Sequence, residues 1–223
     1  MTARRSLVLF GAGEIAQLAH RYFTTDSDFQ VVGFTVDREY LTAATFLDLP
    51  VVAFDEVLSR FPPLDHELFV ALSYSGLNRV RRDKYLAAKA LGYRIASYVS
   101  SRATVLNDRR IGENCFILED NTIQPFVTIG NNVTLWSGNH IGHHSIIDDH
   151  CFIASHVVVS GGVRIGESCF VGVNVTLRDH IKIGERCVLG AGALLLADAE
   201  PEGVYIGTAT ERARVPSSRL RRI

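Results

Sequence analysis

The chain has 223 residues, of which 47% are hydrophobic and 21% charged, with a formal net charge of −1. That length allows one large domain or two small ones, and near-neutrality supplies no basic excess for nucleic acid. No apolar run approaches the roughly 18 residues that a membrane-spanning helix needs. The first residues, MTARRSLVLFGAGE, lack the apolar core and cleavage site of a signal peptide, so a cytoplasmic protein is expected.

Residues 1–98 read as an α/β domain. Ser6–Phe10 is an apolar strand, Gly11-Ala12-Gly13 a tight turn, and Glu14–Phe23 a helix with Ile15, Leu18, Ala19 and Tyr22 on one side. Phe29–Val36 is a second strand ending at Asp37. Val51 and Val52 start a third, Phe54–Phe61 is helical, Leu68–Leu72 is a strand, Leu77–Leu91 is a charged amphipathic helix closed by Gly92, and Arg94–Tyr98 is the last strand. Such alternation implies a parallel sheet. Gly11, Gly13 and Ala16 match the GxGxxG/A fingerprint, and Asp37 follows Gly13 by 24 residues, where an acid meets ribose hydroxyls. The domain is about half a dinucleotide fold. That suits a nucleotide or nucleotide sugar better than NAD, and a turn without a ligand is the alternative.

From Ile111 to Leu195 every sixth residue is Ile, Leu or Val, fifteen times in succession. A period of six fits neither helix nor strand and is the hexapeptide signature of a parallel β-helix. Three units make one coil, giving about five coils within a domain expected at 103–210. Glycine follows the repeat aliphatic at positions such as Gly112, Gly142, Gly172 and Gly190, and reads as relief for the backbone of a coil corner. Cys115, Cys151, Cys169 and Cys187 share one phase, with spacings of 36, 18 and 18. They read as core filler rather than disulfides or metal ligands. The tail, residues 211–223, holds Arg212, Arg214, Arg219, Arg221 and Arg222, which could meet phosphate.

Five of the eight histidines lie between His140 and His156. His143 is at phase two after the repeat aliphatic, His144, His150 and His156 are at phase three, and His140 precedes Ile141. None is at a core phase, so all five are expected outside the coil. General base chemistry suits a neutral imidazole. Zinc held by histidines from neighbouring coils is an alternative, and turn or interface packing accounts for at least two of the five.

The chain as a whole resembles bacterial sugar acyltransferases of the sialic acid O-acetyltransferase type, which include the bacillosamine-pathway N-acetyltransferase. The pattern E-H-D-C-x-I-G-D followed by G-G-V-x-I-G aligns with the stretches His143–Asp149 and Gly161–Gly166 without a gap. The resemblance implies a Rossmann-like domain followed by a left-handed β-helix, a homotrimer with active sites between adjacent β-helices, and acetyl-CoA as co-substrate. It assigns the general base to His143, with His140 and His156 as further candidates. The acids flanking that histidine are replaced by Gly142 and His144, so Asp148 or a neighbouring subunit is left to orient the base. The family's second histidine falls on Phe152. Pantetheine is expected near Gly172, Gly190 and Gly192, and CoA phosphates at Arg212 and Arg214, where Ala209 replaces the family's proline. Gly11, Gly13 and Asp37 would hold the nucleotide or sugar, with Asn78 and Arg81 adding contacts. The implied activity is acetyl-CoA-dependent acetylation of a nucleotide-linked amino sugar for surface polysaccharide or glycan synthesis, with N-acetylation favoured over O-acetylation. A zinc-dependent β-helix and an NAD oxidoreductase are the other readings.

Overall fold

The computed structural model describes residues 4–108, 110–212, 214 and 216–219. Its N-terminal domain is a six-stranded sheet. Strands β1 (Arg5–Phe10), β2 (Phe29–Val36), β3 (Thr45–Phe46), β4 (Leu49–Ala53), β5 (Glu67–Val70) and β6 (Arg94–Ile95) lie in the order β3-β4-β2-β1-β5-β6. All neighbours are parallel except β3 and β4. The sheet is therefore mixed, because Leu47 and Asp48 take positive φ and turn the chain directly back. Central strand β1 explains its own apolar run: Leu7 and Leu9 enter one core, Val8 and Phe10 the other, since successive strand side chains face opposite sides. Helix α1 (Glu14–Thr25) buries Ala16, Ala19 and Phe23 on the first side. Helices α2 (Val57–Arg60) and α3 (Arg79–Ala90) bury Val57, Tyr85 and Ala88 on the second. Helix α3 starts at Arg79 rather than Leu77, because Leu77 and Asn78 have φ of 54° and 65°.

The rest is a parallel β-helix of two-residue strands. Each strand pairs with the strand 18 residues on, as Thr122 with His140 and His140 with Val158, except at the end, where Val188 pairs with Val204 across 16. Three faces result. The first runs from Thr104–Val105 to Leu194–Leu195, the second from Thr128–Ile129 to Lys182–Ile183, and the third from Tyr98–Val99 to Val204–Tyr205. Tyr98–Val99 thus opens the β-helix instead of closing the first domain. The sixfold aliphatics fill the core together with the phase-four residues, the four cysteines included. Those cysteines are free, buried and stacked along one edge. The Sγ atoms of Cys115, Cys151 and Cys169 each donate to a carbonyl of the next rung at 3.1 Å.

The corners correct one expectation. Positive φ recurs at every sixth residue from Asp108 to Gly192, at phase three, while Gly112, Gly142 and Gly172 do not have it. Phase-one glycines are needed for a different reason. A Cβ on Gly142 would lie 2.6 Å from the Ser160 carbonyl carbon, and one on Gly172 2.7 Å from Ala191 N. Stacked rungs leave no room for a side chain there. Nine of the fifteen left-handed corners from Asp108 to Gly192 instead take Asn, Asp or His, which tolerate that conformation better than most residues.

The N-terminal domain covers the third face as far as Phe170. Tyr98, Phe116 and Leu118 join the core on the α1 side of the sheet. Helix α3 clamps the corner between the second and third faces. Asn78 donates to the carbonyls of Ser168 and Cys169, and Arg81 donates to Thr134 Oγ1, Asn78 Oδ1 and the carbonyls of His150 and Cys151.

Candidate active site

The five clustered histidines fall at different places on the prism. His143 and His144 form the corner between the first and second faces, and both are exposed. His140 stands on the first face in the strand His140–Ile141. His156 is exposed at the corner between the third and first faces, with its ring over Gly138, where a Cβ would meet Nδ1 at 2.5 Å. His150 departs from expectation. It is 6% exposed, because its corner is the one that helix α3 covers. Asn132 Nδ2 donates to its Nδ1 at 3.0 Å, and burial pushes its pKa down to about 4. It is a neutral structural group.

His143 is held by its neighbours. Its backbone N–H donates to Gln124 Oε1 at 2.8 Å. Its imidazole lies over Gly161, where a Cβ would sit 2.6 Å from Cε1 and 2.7 Å from Nε2. Its Nδ1 is 3.0 Å from His144 Nδ1, with the rings perpendicular. Asp148 does not orient it, because that carboxylate is bound to Arg164 at 3.0 Å. Gln124 and Gly161 are contributors with no role expected from the residues alone, although Gly161 stands in the aligned motif.

A cleft of about 350 Å3 opens where the two domains meet at the corner between the third and first faces. One wall is Ile15, in the first turn of α1, with Ser73 and Tyr74. The other includes Trp136, Phe152, Phe170 and Gly172. Tyr74 packs on Phe152 and Phe170 at centroid distances of 4.9 and 4.8 Å. The position expected to hold a second histidine is therefore an aromatic wall. Phe116, Phe152 and Phe170 repeat in multiples of 18 residues, a signal legible in the sequence once the rung length is known. Among the described residues the buried Trp136 indole N–H has no hydrogen-bond partner.

The remaining expected binding residues divide. Gly13 caps α1 in extended conformation, and a Cβ there would meet nothing within 4 Å. Gly11 has φ of 119°, and its Cβ would lie 2.8 Å from Ala71 O. Asp37 pairs with Lys84 at 2.6 Å. Asn78 and Arg81, expected at the substrate, are 0% and 1% exposed and spend their donors on the β-helix; they join the domains and line no open site. Gly192 has open space beside it, whereas Gly190 lies under the last rung, its Cβ position 3.2 Å from Tyr205 O. Arg212 and Arg214 are exposed, while Arg221 and Arg222 lie outside the described residues. Among the described residues no three His, Cys, Asp or Glu side chains converge as metal ligands, and no helix is long and apolar enough to cross a membrane.

These features define a hexapeptide-repeat β-helix joined to an α/β domain. Residues 110–141, 126–161 and 162–197 match the bacterial transferase hexapeptide family (six repeats), and residues 145–178 match the hexapeptide repeat of succinyl-transferase. Among solved structures the chain is similar to perosamine N-acetyltransferase from Caulobacter crescentus in complex with CoA and GDP-perosamine, with 23% identity over 91% of this chain and 93% of that one and a TM-score of 0.81. It is similar to the acetyltransferase domain of PglB from Neisseria gonorrhoeae in complex with acetyl coenzyme A, with 22% identity, 88% and 93% coverage and a TM-score of 0.60. WeeI from Acinetobacter baumannii AYE shares 18% identity over 91% and 97% of the two chains, with a TM-score of 0.76. The resemblance to bacterial sugar acyltransferases is borne out in both the repeat and the two-domain fold.

Proposed function

We propose that this chain is an acetyl-CoA-dependent N-acetyltransferase acting on a nucleotide-linked amino sugar. The observation that carries it is the interdomain cleft, bounded by the first turn of α1 on one side and by the aromatic column of the β-helix on the other. A helix N-terminus preceded by the open Gly13 suits phosphate. Stacked rings and the unpartnered Trp136 N–H suit a sugar or base. The N-terminal domain is read as Rossmann-like and the coil as left-handed, a reading supported by the parallel strands alternating with helices and by the hexapeptide period. Surface polysaccharide or glycan synthesis would consume such a product, and free buried cysteines accord with a cytoplasmic enzyme.

His143 serves as general base. The acceptor amine attacks the thioester carbonyl carbon, its proton passes to His143 Nε2, and collapse of the tetrahedral intermediate breaks the C–S bond and releases CoA as the thiol. Backbone N–H groups of the coil would stabilise the oxyanion. Pantetheine would run past Gly172 and Gly192, with Arg212 and Arg214 toward the CoA phosphates.

His143 and the cleft lie at opposite edges of the first face. That face presents no charge along its strands: Thr104, Thr122, His140, Val158, Thr176 and Leu194 point outward. A cyclic trimer around this face would be heterologous, joining one edge of a subunit to the other edge of the next. His143 would then meet a neighbour's cleft.

The test is a screen of amino nucleotide sugars with acetyl-CoA, following thiol release. An accepted substrate is expected, and His143→Ala should lower kcat by roughly 10²–10⁴. Near-wild-type turnover in His143→Ala, with loss in His140→Ala or His156→Ala, would overturn the assignment of the base.

A further inference from the structure

We infer that His144 is the positioning residue of the site: it fixes the tautomer and orientation of His143 by accepting the Nδ1 proton, the part a carboxylate plays in other histidine bases. The inference rests on His143 being the base. The two Nδ1 atoms are 3.0 Å apart, a distance at which one proton, and only one, sits between them. It can be placed in two ways. If His144 donates, His143 must carry its own proton on Nε2 and has no lone pair there. If His143 donates, its Nε2 is bare and can take the proton of the acceptor amine. The base therefore requires His144 as a neutral acceptor, protonated on Nε2.

No carboxylate competes for the role. Asp148, the nearest acid in sequence, is bound to Arg164. The histidine pair is built into the corner. His144 occupies the left-handed position with φ of 59°, and its backbone N–H donates to Pro125 O. Its ring lies against Phe126 at a centroid distance of 4.6 Å.

Phe126 is the second, independent observation. It too is left-handed, with φ of 66°, and it is 57% exposed. The same corner position one rung on from His144 is Gly162, and most other rungs use Asn, Asp or His. A bulky aromatic is unfavourable there, and within one subunit its ring is left largely in water. Retained strain beside a reactive group is a pointer to function. The ring's contact is His144, so the column reads Phe126, His144, His143, each setting the orientation of the next.

When His143 takes the amine proton, its Nδ1–H stays on His144, so the new positive charge is met by a neutral ring nitrogen instead of an anion. The experiment compares His144→Gly with His144→Asn. Both residues tolerate positive φ, so both variants should fold, with thermal midpoints close to wild type. Glycine offers no acceptor, and asparagine offers Oδ1. His144→Gly should lose kcat by roughly 10²-fold, with KM for both substrates little changed, and His144→Asn should recover most of the loss. Phe126→Asn should lower kcat while raising the thermal midpoint, the reverse of what a purely structural residue would do. Wild-type kcat in His144→Gly, or equal loss in His144→Gly and His144→Asn, overturns the inference. Wild-type turnover in His143→Ala would instead remove the base itself, so the two failures are distinguishable.

Discussion

Gly161 is the residue on which the position of the His143 ring most directly depends. The imidazole edge occupies the space a side chain at 161 would need, and the ring, as the free end of a side chain, will yield before the stacked backbone does. Gly161→Ala should therefore leave the thermal midpoint within a few degrees of wild type and displace His143, lowering kcat by roughly 10²-fold, as an ångström-scale misplacement does. An unchanged kcat would show that the ring does not act from its observed position. In the sequence Gly161 and Gly162 look alike, yet they do different things: Gly162 adopts φ of 69° beneath His180, while Gly161 makes room for His143. The histidines carry the same lesson. His144, His150 and His156 share one phase of the six-residue period, and all three have left-handed φ between 58° and 65°. The period marks them as corner residues. It does not say which corner each occupies or what covers that corner, and this separates an exposed partner of the base from a buried prop.

At the scale of elements, α3 and the corner beneath it form one buried polar assembly. Val70 N–H donates to Asn114 Oδ1, Asn114 Nδ2 donates to Asn132 Oδ1, and Asn132 Nδ2 donates to His150 Nδ1. Arg81 closes the assembly from above. Burial pushes its pKa down to about 10, so it stays cationic at neutral pH, solvated by carbonyls and amides in place of water. Nothing in the letters of α3 separates Arg81 from Arg79 or Arg82. Its burial follows from the docking of one domain on another, which a helical pattern does not report. The apolar periodicity of α1, α3 and β1 and the sixfold repeat were legible because each records burial within its own element. The burial of His150 sets a pH dependence. His150 titrates near 6.5 when unfolded and near 4 when folded, so the unfolded chain binds more protons between those values. Stability from this group is complete above about pH 6.5 and is lost as pH falls toward 4. Urea midpoints for wild type and His150→Asn at pH 7.5 and 4.5 should show the wild type losing more over that interval; equal losses would remove His150 as the cause.

At the scale of the whole molecule, the proposed trimer, with its site divided between two edges of the prism, predicts behaviour that no single subunit can show. Val173 lies 43% exposed in the cleft wall, so Val173→Trp should fill the cleft and abolish activity without disturbing the core. If the proposed trimer forms, mixed trimers of His143→Ala and Val173→Trp subunits, both inactive alone, should recover roughly a quarter of wild-type activity, because each site would draw its proposed base from one subunit and its cleft from the next. No recovery would mean that base and cleft act within one chain. The architecture was readable from the six-residue period, and the glycine loop announced the first domain. The pairing of a corner with a distant cleft was not readable, since it depends on which face the N-terminal domain leaves bare. The mismatch between the two periods has a further consequence. Letters repeat every six residues, but strands pair across 18. Gaining or losing one hexapeptide between His143 and Gly161 would keep every local pattern intact and still turn all later residues by one face, carrying Gly161 away from His143. From Thr104 to Leu195 the domain thus has a structural reading frame three repeats wide.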